Sequence, residues 1–157
     1  MHIYLVQHGE ALPETTDPER PLTDTGRADI GALAAFMRET GTTTGRIVHS
    51  GKLRARQTAD IFAEAFGADT KLEVMATGLS PKDSPVYLAE AIADWRDDTL
   101  VIAHQPFLSR FVSRVLLGAE SPVVVEFTPG TAVALTRRPA TGALALSWVL
   151  PPALLRR

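Results

Sequence analysis

The chain has 157 residues, enough for one ordinary domain with a real core over residues 1–157 and too short for two comfortable ones. A composition of 45% hydrophobic and 22% charged residues describes a soluble globular protein, and a net charge of −2 supplies no basic field for nucleic acid. The absence of cysteine excludes disulfides, thiolate metal sites and a cysteine nucleophile. With no basic segment leading into an apolar one at the N-terminus, and no run of spanning length, the expectation is a cytoplasmic protein with no membrane contact.

Ile3 to Val6 is an apolar, β-favouring run, so His8 falls where a first strand should end, followed by Gly9, which permits a sharp turn or a close approach to a ligand. Ala11 to Pro21 carries three prolines and reads as a loop beyond the strand's carboxyl end; Arg20 within it reads as a surface arginine on composition alone. Thr23 can cap a helix whose apolar positions Ile30, Leu33, Ala34 and Met37 share one face, and Gly41 can end it.

Arg46 to His49 is a short strand, Ser50-Gly51 a turn, and Thr58, Ile61, Phe62, Ala65 and Phe66 the buried stripe of a second helix stopped by Gly67. Arg54 and Arg56 lie in its first turns. Lys71 to Met75 fits a short strand, and Ser84-Pro85 starts a helix continued by Leu88, Ala89, Ile92 and Ala93. Thr99 to Ala103 is the strongest buried strand, and His104 ends it much as His8 ends the first.

Gln105-Pro106 opens another helix with Phe107, Leu108, Phe111, Val112, Val115 and Leu116 on its apolar side. Beyond Gly118 come three β-type runs, Val123 to Phe127, Thr131 to Thr136 and Ala143 to Val149, separated by Pro129-Gly130 and the Pro139 to Gly142 turn. The tail from Pro151 reads as peripheral. The order predicts an α/β fold: a three-layer α/β/α sandwich on a largely parallel sheet with antiparallel edge strands.

His8, His104 and Arg54 all fall just past predicted strands or in the helix after one, and in a parallel sheet those places share a rim. A neutral imidazole is a competent nucleophile toward phosphorus at pH 7. Phosphoryl transfer spreads negative charge over three oxygens, which calls for cationic and N–H donors. Arg54 and a helix N-terminus supply both.

These residues resemble the histidine phosphatase superfamily, and within it the small bacterial phosphohistidine phosphatases of the SixA type. The resemblance rests on Gln7-His8-Gly9, on the run from Ser50 to Thr58 with Arg54 and Gln57-Thr58 inside it, on Val101 to Pro106 around His104, and on Arg20-Pro21-Leu22-Thr23. It implies a phosphoglycerate mutase-like fold and a His8 nucleophile that is transiently phosphorylated. Arg54 and His104 would hold the phosphoryl oxygens, with Gln7, Gly9 and Arg20 as further phosphate-binding positions. It implies no metal and no organic cofactor. The partner is a phosphorylated protein bearing phosphohistidine, or a small phosphoester; a monomer or weak dimer is expected.

Two positions depart from the family pattern. Gln7 stands where arginine is usual; a hydrogen bond to a charged donor is worth about 1.5–3 kcal/mol against about 0.5–1.5 for a neutral one, so activity should fall rather than vanish. Gly51 stands where proline is common. Asp83 is a possible general acid for an alkyl phosphate or a solvated loop residue beside the Ser84 cap, Glu10 reads as a turn acid, His49 as structural and His2 as peripheral. Phosphohistidine suits the chain because its P–N bond leaves readily once the imidazole is protonated, and because no insertion is long enough for a large lid. The alternatives are a phosphatase of small phosphoesters, a phosphate-binding module that lost turnover with the arginine, and a metal hydrolase built on His8, His49 and His104.

Overall fold

Strands apolar on both faces must be covered on both faces, and the alternation along the two central strands divides the core in two. A computed structural model describes residues 1–157. In chain order the elements are β1 (His2–Gln7), α1 (Asp24–Glu39), β2 (Arg46–His49), α2 (Leu53–Phe66), β3 (Lys71–Val74), α3 (Pro85–Ala93), β4 (Thr99–Ala103), α4 (Phe107–Leu117), β5 (Ala132–Arg137) and β6 (Leu144–Leu150), followed by a 3-10 turn at Pro152–Leu154. Tyr4 and Val6 of β1 join Leu100 and Ile102 of β4 against α1 and α2. Ile3 and Leu5 join Val101 and Ala103 against α3 and α4.

The six strands lie in the order β3-β2-β4-β1-β5-β6. The first four are parallel, β5 runs antiparallel to β1, and β6 antiparallel to β5. This is the three-layer sandwich that the order of elements predicts, with β4 and β1 at its centre.

Local chemistry sets the helix that leans on β1. Thr23 Oγ1 accepts the Gly26 N–H at 3.0 Å, the expected N-cap. Ile30, Leu33, Ala34 and Met37 are buried; each large side chain among them contributes roughly 1.5–3 kcal/mol by leaving water. The first turn of α1 sits so close to the loop after β1 that a Cβ on Gly26 would stand 2.1 Å from the Glu10 carbonyl oxygen, so no other residue fits there.

Two expectations fail. Val123 to Phe127 forms no strand. Its alternation holds from Val124 on, since Val125 and Phe127 are buried while Val124 and Glu126 are exposed, but the burial is against α4. Ser113 donates to the Pro122 carbonyl at 2.7 Å and so ties the segment to α4 through a side chain. Both flanks of β1 are already occupied by β4 and β5, so the run has no neighbouring edge to pair with there. The tail is not peripheral either: Pro152 is buried, and Arg156 makes a two-pronged ion pair with Asp29 of α1 at 3.0 and 2.6 Å.

Candidate active site

Register alone brings two histidines together. Gln7 of β1 pairs with Ala103 of β4, so the next residues, His8 and His104, emerge side by side from parallel strands. The His8 N–H donates to the Ala103 carbonyl at 3.2 Å, and the ring centroids are 5.0 Å apart. Alternation carried one step past each strand turns both toward the α2 side, where Arg54 stands in that helix's first turn.

The tautomer of His8 follows from its partners. The Gly9 carbonyl, 2.7 Å from Nδ1, can only accept, so Nδ1 carries the proton. Nε2 is then a lone pair, and Arg54 Nε–H points at it from 3.3 Å. Burial lowers the His8 pKa to about 4, with Arg54 and Arg20 adding to the shift and the Gly9 bond opposing it. His104 is pushed down to about 2, first by burial and then by His8, Arg54, Lys52 and Arg20. Both rings are neutral at pH 7. The Arg54 pKa is lowered by burial and by Arg20, which tells of unmatched positive charge around an otherwise apolar pair of rings.

The residues that hold these three side chains in place have individual roles the sequence did not announce. Thr58, fully buried on α2, takes the Gly9 N–H at 3.1 Å and donates to the Arg54 carbonyl at 2.8 Å, so it joins the loop after β1 to the arginine turn. Gln57 Oε1 accepts the Leu22 N–H at 2.8 Å and anchors the segment that carries Arg20. Ser50 Oγ lies 2.6 Å from His104 Nε2. The recognisable Gln57-Thr58 pair was the signal; its partners are set by folding.

Arg20 belongs to this rim. Its backbone is left-handed at φ 51, uncommon for a side chain of that size, and its Nε–H is held by the Leu12 carbonyl at 3.0 Å. Its charge is felt at His8, His104 and Arg54. Gln7 is buried, and its Oε1 is enclosed with no hydrogen-bond partner. Gly9 does not serve as the sequence suggested. It takes no positive φ, and its N–H is occupied by Thr58; a Cβ there would meet Ile30 Cγ1 at 2.9 Å and the Gly26 carbonyl at 3.0 Å, so close packing against α1 explains it. Gly51, by contrast, sits at φ 87, a backbone closed to proline.

The remaining candidates are employed elsewhere. Asp83 Oδ2 accepts the Gly78 and Ser80 N–H groups at 2.7 and 3.0 Å, so the carboxylate clasps its own loop and touches neither histidine. Glu10 is exposed and accepts from the Thr23 hydroxyl at 2.7 Å beside the α1 cap. His49 Nδ1 takes the Gly51 N–H at 3.1 Å, and His2 meets Thr136 on the sheet. No group of three His, Asp or Glu side chains stands together as metal ligands, so the arrangement of His8, His49 and His104 as a metal centre does not form.

Comparison with known proteins places this geometry. A family model described as the histidine phosphatase superfamily (branch 1) matches residues 3–76. The phosphohistidine phosphatase SixA of Escherichia coli is 26% identical over 161 residues, covering 99% of this chain and 97% of that protein. The mitochondrial serine/threonine-protein phosphatase Pgam5 of Drosophila grimshawi is 30% identical over 98 residues, 62% of this chain; the match spans only 34% of that longer protein. Among solved structures, protein histidine phosphatase SixA complexed with tungstate superimposes with a TM-score of 0.85 at 22% identity, covering 99% of this chain and 100% of that one. The fold is therefore the phosphoglycerate mutase-like one. With its two strand-end histidines in register and its match to the family model, the chain belongs to the histidine phosphatase superfamily, and along its whole length it is similar to SixA.

Proposed function

We propose that the protein removes phosphate from protein phosphohistidine through a His8 nucleophile. One observation carries the reading: His8 Nδ1 is tied to the Gly9 carbonyl while its Nε2 lone pair faces the Arg54 guanidinium, in a ring that stays neutral at pH 7. The relative of matching length is itself a phosphohistidine phosphatase.

In the first step the Nε2 lone pair forms a new N–P bond as the substrate's P–N bond breaks in line, and the electron pair stays on the departing ring, whose other nitrogen already carries a proton, so that it leaves as neutral imidazole. Phosphorylation at Nε2 leaves His8 with its Nδ1–H, and the Gly9 carbonyl already accepts that proton's hydrogen bond. Arg54, Arg20 and His104 meet the charge spread over the phosphoryl oxygens. Water then attacks phosphorus, the N–P electron pair returns to Nε2, and inorganic phosphate departs. No step uses a metal or organic cofactor. With Asp83 clasped by its loop, no carboxylate serves as general acid, which favours a leaving group that carries its own proton.

The test is turnover of a phosphohistidine-bearing phosphocarrier protein and of p-nitrophenyl phosphate, by wild type and His8→Ala, with and without EDTA. EDTA-resistant turnover, faster on the phosphoprotein and lost in His8→Ala, is expected. A faster rate on the ester would assign the site to small phosphoesters, and a folded wild type silent on both would make it a binding module.

A further inference from the structure

Two buried side-chain atoms lack any hydrogen-bond partner, Gln7 Oε1 and His104 Nδ1, and both belong to the rim that holds His8. An unpartnered buried atom is rare enough to require a reason, and at a site the reason is a group waiting for its ligand. The oxygens of a phosphoryl dianion can only accept, so any ring nitrogen that meets one must be N–H. A neutral imidazole has a single N–H. His104 is held neutral by burial and by the surrounding cations, so it must commit to one nitrogen.

Its Nε2 is already spoken for by Ser50 Oγ at 2.6 Å. That hydroxyl oxygen also lies 3.4 Å from the Lys52 backbone N–H, which donates to it and leaves the hydroxyl proton free to point elsewhere. We propose that Ser50 is a positioning residue: its hydroxyl donates to His104 Nε2, fixes the proton on Nδ1, and so turns the unpartnered nitrogen into a donor for a phosphoryl oxygen. The inference rests on the phosphatase reading for its purpose, but the tautomer it assigns exists with or without turnover. Ser50 is buried and sits between β2 and α2, which fixes the hydroxyl where a mobile surface serine would not be.

The experiment is a long-range 1H–15N spectrum of protein labelled at its four histidines, with His104 assigned through His104→Gln, on wild type, Ser50→Ala and Ser50→Thr at pH 7. Wild type is expected to show His104 protonated at Nδ1 alone, Ser50→Thr the same, and Ser50→Ala a mixture of tautomers. Because loss of an oriented donor costs rate in the transition state, kcat of Ser50→Ala on the phosphocarrier substrate should fall about tenfold or more, with Ser50→Thr retaining most of it. A wild-type His104 protonated at Nε2 overturns the proposal, as does a tautomer unmoved in a well-dispersed, folded Ser50→Ala. A tautomer that moves as expected in an enzyme silent on every phosphorylated substrate sustains the assignment of Ser50 and overturns the phosphatase reading instead.

Discussion

The two ends of the same parallel strands are built on opposite electrostatic principles. At the amino-terminal end, an open cavity of about 690 Å³ is lined by Arg46, Lys71, Arg96, Glu73, Asp94, Asp97 and Asp98. There opposite charges answer one another: Arg46 grips Glu73 through two bonds of 3.0 and 2.8 Å and lies over the Trp95 ring at 4.3 Å. At the carboxyl end the balance is deliberately one-sided. Arg54, Arg20 and Lys52 surround two neutral imidazoles, no carboxylate is paired with Arg54, and two buried polar atoms stay unpartnered. The amino-terminal cavity thus holds charges of both signs, while the carboxyl end, where the proposed reading puts an anion, keeps its positive charge unanswered.

Removing one guanidinium from each end breaks the comparison most directly. Arg54→Ala is expected to lower kcat/KM on phosphorylated substrate about a hundredfold, the scale for losing a donor aimed at developing charge. Arg46→Ala, which removes a partly exposed ion pair and the contact with the Trp95 ring, should leave kcat/KM within twofold and cost about 1–2 kcal/mol of stability. Steady-state kinetics with urea denaturation on both variants decides, and an equal loss of activity from both would erase the distinction between the ends.

Acid should find the carboxyl end first. His8 is depressed from 6.5 to about 4 and His104 to about 2, so between pH 6.5 and about 4 the unfolded chain binds protons that the native state refuses. Stability therefore rises with pH across that window and is lost on acidification through it. The urea midpoint should drop steadily from pH 7 to pH 4.5, and His104→Gln should flatten the slope; a slope identical in that variant would show that the ring titrates normally.

The smallest expected effect sharpens the contrast rather than breaking it. Gln7→Arg adds a third guanidinium to the unmatched end, and exchanging a neutral for a charged hydrogen bond is worth about 1 kcal/mol. Inorganic phosphate or tungstate should bind about five- to tenfold more tightly by calorimetry. Unchanged affinity would mean that position 7 does not reach the anion.

The elements were legible because their signals are local. Thr23, Ser84-Pro85 and Gly67 punctuate helices through their own backbone chemistry, and the two-face burial of Thr99 to Ala103 follows from an unbroken apolar run. Val123 to Phe127 misled for a physical reason: alternation reports which side chains are buried, not whether a strand edge is free to pair. The tail misled because Arg156 finds Asp29 across the whole length of the chain, a partner that no neighbouring residue hints at.

The sequence by itself determined that His8, Arg54 and His104 follow strands of a parallel sheet and so share one rim, because strand ends are written in local apolar runs. Only the tertiary structure decided the chemistry of that rim. Which nitrogen of His8 holds the proton depends on the Gly9 carbonyl and on the approach of Arg54, which ring atom of His104 is left free depends on Ser50, and Gly9 is small because α1 packs against it. Protonation, tautomer and close packing are properties of groups brought together through space, and order along the chain does not encode their distances.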